Sequence, residues 1–245
     1  MHLQFVGCGD AFGSGGRFNT CFHLVGNNIN ALIDCGATSL VAMNKLAISR
    51  SDINTIYLTH FHADHVGGLP LFLLESHYVL KRQRGLTVAG PPSLKSRYAG
   101  IMETAFPGTE AMDWCFPLTL TEMEIGRGNA IGNLRITPFH VLHDDRAGPC
   151  LGFRIEAEGK IIAFSGDTEW TQALVDVGRD ADLFICEAYT RDKAVTGHMA
   201  LNLLERHLGQ INPKRLILTH MSKDMLAQRA KLPYETAEDG LIVEL

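Results

Sequence analysis

The chain has 245 residues, 46% of them hydrophobic and 20% charged, with a formal net charge of −5. That is ample apolar material for one large α/β or layered β domain, expected here as a single domain over residues 1–245. The acidic balance disfavours a general nucleic-acid binder, which needs a basic footprint for phosphate.

No apolar run approaches the roughly 18 residues that suggest a membrane helix. The start, Met1-His2-Leu3-Gln4, carries no basic leader. Cys8, Cys21, Cys35, Cys115, Cys150 and Cys186 form no C-x-x-C pair. Reduced thiols and a cytoplasmic setting are therefore expected.

Short apolar runs punctuated by glycine predict strands at 3–6, 21–25 and 31–33, with a loop over 7–16. Residues 38–48 space Leu40, Val41, Met43, Leu46 and Ile48 as a helix does. A strand at 53–58, a helix at 69–80, a strand at 86–89 stopped by Gly90-Pro91-Pro92 and a helix at 93–106 follow. Residues 107–133 give only weak signals for short strands. Beyond them come a strand at 134–142 and a hairpin of 152–157 with 160–164, turning at Glu158-Gly159. The remaining elements are a helix at 169–177, a strand at 183–186, an amphipathic helix at 199–208 and a buried strand at 216–218.

Strand after strand ends in a residue able to bind metal: Asp34, His60, His143, Asp167, Glu187 and His220. Strand ends gathered at one sheet edge are where α/β proteins place their sites. The densest case is Thr59-His60-Phe61-His62-Ala63-Asp64-His65, three imidazoles and a carboxylate behind an apolar strand. Imidazole and carboxylate suit zinc and similar divalent ions. In extended backbone His60 and His62 project to one side, while Asp64 and His65 fall where the chain turns towards helix. His140 and His143 face opposite ways in a strand, so one of them ligates; His143, which closes the apolar run, is favoured over His140.

With T-H-x-H-x-D-H at 59–65, S-G-D-T at 165–168 and L-T-H at 218–220, the chain resembles the metallo-β-lactamase-fold hydrolases. Gly7-Cys8-Gly9-Asp10, Arg17-Phe18-Asn19-Thr20 and Leu32-Ile33-Asp34-Cys35-Gly36 place the likeness nearest the ribonuclease Z and small phosphodiesterase branch. The resemblance runs over about 3–223 and implies a four-layer αββα sandwich. It also implies two divalent ions, zinc first, with manganese and iron as alternatives. His60, His62 and His143 would hold one ion, Asp64, His65 and His220 the other, and Asp167 would bridge both. His198, in Thr196-Gly197-His198, resembles a proton donor paired with Glu187, and Asp64 shares in proton transfer besides ligating. Asp34 is expected to orient a metal-binding histidine. Arg17, Asn19 and Thr20 are candidates to line the substrate side, whereas His2, His23, His77 and His207 read as structural or exposed.

The implied reaction is hydrolysis by a metal-bridging hydroxide, most simply of a phosphodiester such as a small nucleotide. The partner expected is thus a small anionic substrate, with no membrane and with a homodimer left open. Three alternatives stand: a ribonuclease Z-like tRNA 3′-processing endonuclease, a lactone, ester or thioester hydrolase, and a metal-binding protein without turnover. Against the endonuclease, the stretch 144–166 is too short for a tRNA-clamping arm. The Gly13–Asn19 loop lacks the proline usual in that family, and closed four-ligand structural sites argue against the last alternative.

Overall fold

The computed structural model describes residues 1–109 and 111–245. The first half of the chain builds one sheet. It contains β1 (His2–Gly7), β2 (Cys21–Gly26), β3 (Ile29–Ile33), β4 (Thr55–Tyr57), β5 (Leu86–Gly90) and β6 (Leu118–Glu122). Their helices are α1 (Ser39–Lys45), α2 (Ala63–Val66), α3 (Leu69–Tyr78) and α4 (Leu94–Ala105). The second half contributes β7 (Asn129–Ile131), β8 (Leu134–Val141), β9 (Cys150–Ala157), β10 (Lys160–Phe164), β11 (Leu183–Glu187), β12 (Leu216–Thr219) and β13 (Glu235–Thr236). Its helices are α5 (Ala173–Gly178), α6 (Leu201–Ile211) and α7 (Lys223–Gln228), and β14 (Ile242–Glu244) closes the chain.

The sheets have seven strands each, ordered β14-β1-β2-β3-β4-β5-β6 and β13-β12-β11-β10-β9-β8-β7. Each is parallel where helices cross over, from β3 to β6 and from β10 to β13, and antiparallel elsewhere, including the pairing of the chain's two ends at β1 and β14.

Period-two alternation sorts the side chains into layers. Phe22, Leu24, Ile33, Ile162, Phe164 and Ile185 point between the sheets. Cys21 and Leu32 face α1 and α3 on one outer side, and Ala163, Phe184 and Cys186 face α5 and α6 on the other. This is the expected αββα sandwich. Among the described residues no helix is long and apolar enough to cross a membrane.

Two helices begin later than their periodicity suggests, and both times the site claims the missing turn. α5 starts at Ala173 rather than 169, because Glu169 N donates to Leu142 O and its carboxylate accepts from Gly197 N. α6 starts at Leu201, because Met199 O accepts from Tyr189 N and holds that stretch extended.

Candidate metal centre

The parallel strands of both sheets deliver their C-terminal ends to one edge, where β3 leads into Asp34, β4 into Thr59-His60, β10 into Ser165-Gly166-Asp167 and β12 into His220. Asp34 and His220 take positive φ (59° and 55°), a conformation uncommon for non-glycine residues, in which Asp and His are enriched. The loop after β3 clamps α2: Cys35 N donates to His65 O (2.7 Å), Ala37 N to Ala63 O (3.1 Å) and Gly68 N to Cys35 O (2.8 Å). Gly36 permits this approach, since a Cβ there would lie 2.1 Å from Asp64 O.

Two groups of donor atoms result. His60, His62 and His143 bring one ring nitrogen each within 4.8 Å of the others, and so do the buried Asp64, His65, Asp167 and His220 with their own donor atoms. Asp167 Oδ2 stands between the groups, 3.2 Å from both His65 Nε2 and His220 Nε2 and 3.9 Å from His143 Nε2. Asp64 Oδ2 lies 3.4 Å from His65 Nε2 and 3.9 Å from His220 Nε2.

The hydrogen-bond partners fix which ring nitrogens carry protons. His143 Nδ1 donates to Gly197 O (2.7 Å), and His62 Nε2 faces Asp144 Oδ2 at 3.5 Å. His143 Nε2, its lone pair free, accepts from His62 Nδ1 at 3.0 Å, and a cation can take the place of that proton between the two rings. His65 Nδ1 donates to Asp34 Oδ2 (2.7 Å), and His60 Nδ1 lies 3.0 Å from Thr59 Oγ1. That hydroxyl donates onward to Asp34 Oδ2 (2.8 Å). His60 Nε2, His65 Nε2 and Asp167 Oδ1 are buried with no hydrogen-bond partner. His65 Nε2 does lie near Asp167, so its contact is one of charge without hydrogen-bond geometry. Orphaned buried atoms of this kind cost about 1–3 kcal/mol each. The donor set, all imidazole and carboxylate, fits a pair of divalent ions and is consistent with a dinuclear site.

Electrostatics agree. Burial pushes His60 well below the ordinary histidine value, helped by the neighbouring His65, and burial also lowers His143 and His220. His60 and His143 are thereby neutral, with lone pairs available. Burial would raise Asp167, but His220 and His65 hold it well below the usual carboxylate range.

Beside the cluster, the buried Glu187 accepts from His198 Nδ1 (3.1 Å) and from Thr168 N. Burial pushes Glu187 up to about 7 against the pull of His198. Burial opposes the charge on His198, yet its hydrogen bond to Glu187 and the charge of Glu187 raise it to about 9. The His198 ring stacks on Tyr189 at 4.5 Å and lies 5.6 Å from the His220 ring.

All seven sequence-predicted ligand positions converge here, and the Glu187–His198 pair adjoins them. His140 does not: it is exposed and bonded to Asp145 (3.0 Å). The expectation for Arg17 and Asn19 is corrected. Arg17 reaches away to Ala237 O and Cys8 Sγ, and Asn19 braces the loop at Asp10 O and Thr38. Thr20 does touch the cluster, its Oγ1 lying 3.4 Å from His220 Nδ1. Sequence reasoning missed Gly197, Glu169 and Asp144, although adjacency to His198, Thr168 and His143 was a signal. It also missed Phe12 and Tyr189, for which there was none.

The cluster lines a cavity of about 120 Å³. A larger groove of about 580 Å³, lined by Phe61, Ala63, Val66, Pro70 and Arg97, holds none of the donor atoms. It lies on the opposite face of α2, since Ala63 and Val66 share one helical face and Asp64 and His65 another, with Pro70 joining from α3.

A family model described as Anti-Pycsar protein Apyc1 matches residues 1–241. A ribonuclease Z of Bacillus velezensis is 26% identical over 78% of this chain and 77% of its own. Among solved structures, the short form of human tRNase Z superposes with a TM-score of 0.77 at 23% identity, covering 100% of this chain and 99% of that one. A diphosphatase from the PhnP family reaches 0.81 at 18% identity, covering 100% and 97%. These likenesses show the metallo-β-lactamase fold.

Proposed function

Because the chain belongs to the Anti-Pycsar protein Apyc1 family, we propose that it is a two-metal phosphodiesterase acting on a small cyclic nucleotide, residues 1–245 forming a single hydrolase domain. The observation that carries the reading is the pairing of two donor groups that share Asp167 with a Glu187–His198 couple at their side. His60, His62 and His143 would hold one ion, Asp64, His65 and His220 the other, and Asp167 both. Two such ions, zinc first, would supply a hydroxide at neutral pH and offset charge developing at phosphorus.

The chain's own residues do the rest. Asp34 and Gly197 O set the rings of His65 and His143. Glu187 holds His198 protonated, with its Nδ1–H engaged and Nε2–H left to donate to the departing oxygen. Burial would raise Asp64, but His65 and His220 hold it well below the usual carboxylate range, which keeps it a charged ligand and a poor acceptor for the proton released when the nucleophile forms. A small substrate is supported by the stretch 144–166, which a short turn, β9, the Glu158-Gly159 turn, all of β10 and Ser165-Gly166 occupy. No residues remain there for an RNA-clamping arm.

The test is turnover and metal content together. Purified protein should carry about two ions per chain and hydrolyse bis-p-nitrophenyl phosphate and 3′,5′-cyclic nucleotides but neither a lactone nor a precursor tRNA. Turnover of the lactone alone would sink the reading. Asp167→Ala should lose metal occupancy, and full retention would refute the bridging role.

A further inference from the structure

Two aromatic rings stand at the mouth of the cavity, and the reaction outlined above uses neither as a reacting group. Phe12 is 84% exposed, although a phenyl ring ordinarily gains by burial. It lines the same cavity as Asp64, His143, Asp167, Tyr189 and His220. Its position is held. Asp10, only 1% exposed, accepts from Phe12 N (3.2 Å), Ser14 N (2.8 Å) and Ser14 Oγ (2.7 Å). The Asp10 carbonyl accepts from Gly13 N (3.2 Å) and Asn19 Nδ2 (3.1 Å). Gly13 (φ 64°), Gly15 (φ 71°) and Gly16 (φ 76°) then turn the chain sharply back. A buried carboxylate thus uses its acceptors to present an apolar ring to water.

Size indicates what the ring is for. The cavity of about 120 Å³ is small beside the roughly 300–1,000 Å³ of pockets that enclose a whole small ligand. A nucleotide seated by its phosphate therefore extends beyond it, over a rim to which the exposed Phe12 belongs.

We propose that Phe12 determines specificity as a stacking platform for the nucleobase of the substrate. The proposal rests on the phosphodiesterase reading for the group seated among the metal ligands, and adds what lies outside it. Stacking uses the π-face that every base has, so the platform accepts purines and pyrimidines alike.

The test is calorimetric binding of adenosine 5′-monophosphate and of ribose 5-phosphate, which lacks the base, to metal-loaded wild type, Phe12→Ala and Phe12→Trp. Wild type should prefer the nucleotide. Phe12→Ala should bind it about 5- to 150-fold more weakly, the range for loss of one stacked base, with ribose 5-phosphate unchanged. Phe12→Trp should keep the preference. The proposal is overturned if wild type shows no preference or if Phe12→Ala retains it. It is also overturned if both ligands weaken equally, or if only the oligomeric state changes, which would make the ring a contact between copies. Failure of the hydrolytic reading looks different: no phosphodiester turnover, with the base preference and its loss in Phe12→Ala intact.

Discussion

Asp34→Asn changes one heavy atom and reaches both halves of the cluster. Asp34 Oδ2 accepts from His65 Nδ1 at 2.7 Å and from Thr59 Oγ1 at 2.8 Å, and that hydroxyl lies 3.0 Å from His60 Nδ1. The carboxylate is 0% exposed, so solvent cannot stand in for it. Asparagine keeps the shape and tolerates the φ of 59°. Its oxygen must stay with Thr59 N (2.8 Å), which turns the amide NH₂ towards two donors. His65 escapes the clash by moving its proton to Nε2, occupying the lone pair a metal needs, and Thr59 turns its hydroxyl away from its former bond. Loss of such an orienting partner typically costs about 10–100-fold in metal affinity, or about 1.4–2.7 kcal/mol. The upper end is expected because one imidazole of each donor group is affected. Competition against a chromophoric chelator measures the affinity, and circular dichroism of the metal-free variant checks the fold. Wild-type affinity in folded Asp34→Asn would refute the tautomer argument.

His198→Ala should keep its metal and lose about 10²–10⁴-fold in kcat; metal loss would mean that the ring is a ligand. A His198 value raised to about 9 means that the protonated donor is present below that value and lost as pH rises through it. The alkaline limb of kcat should therefore disappear in His198→Ala, with bound divalent charge bringing the wild-type limb below 9; an unchanged limb assigns the proton elsewhere. In the metal-free protein burial opposes charge on His65, but Asp167, Asp64 and Asp34 hold it well above the ordinary histidine value. Metal must displace that proton, so affinity should rise with pH, and calorimetry in buffers of different ionisation enthalpy should report about one proton released per chain. Buffer-independent enthalpies would contradict this. Gly197→Ala, at φ 82° with a Cβ 2.9 Å from His143 Nδ1, should weaken metal binding. Gly209→Ala, in α6 with nothing within 4 Å, should leave binding alone and raise Tm by an amount matching up to about 1 kcal/mol; equal effects would show that the Gly197 contact is unimportant.

The ligand positions were legible because strand-end histidines and aspartates have few other uses at that spacing. Layering was legible only through the resemblance, because 21–24 and 183–187 are buried on both faces and carry no polar alternation that assigns a face. What stayed hidden was made by tertiary contact. β13 and β14 span only two and three residues, too few to show a period, and they exist because β12 and β1 offer edges. The late starts of α5 and α6 depend on Glu169 and Met199 bonding across the site, against their local helical pattern. Arg17 misled for the same reason: a polar loop beside a site looks like a substrate contact until its partner, Ala237 O, is known.

The net charge of −5 and an anionic substrate are compatible, because the two act over different distances. Surface charges separated by more than about 8–10 Å are largely screened at physiological salt. Two divalent ions held by the cluster would outweigh the charges of Asp64 and Asp167 and of one hydroxide, so a diester in the cavity would meet a local excess of positive charge. An RNA would bring many phosphates to a chain whose net charge of −5 offers little counterion release to drive the contact. On the proposed reading a small diester would place its single charge on the centre and its base on Phe12. The cluster then supplies the hydrolysis, and the acidic balance of the chain supplies the discrimination against polymers.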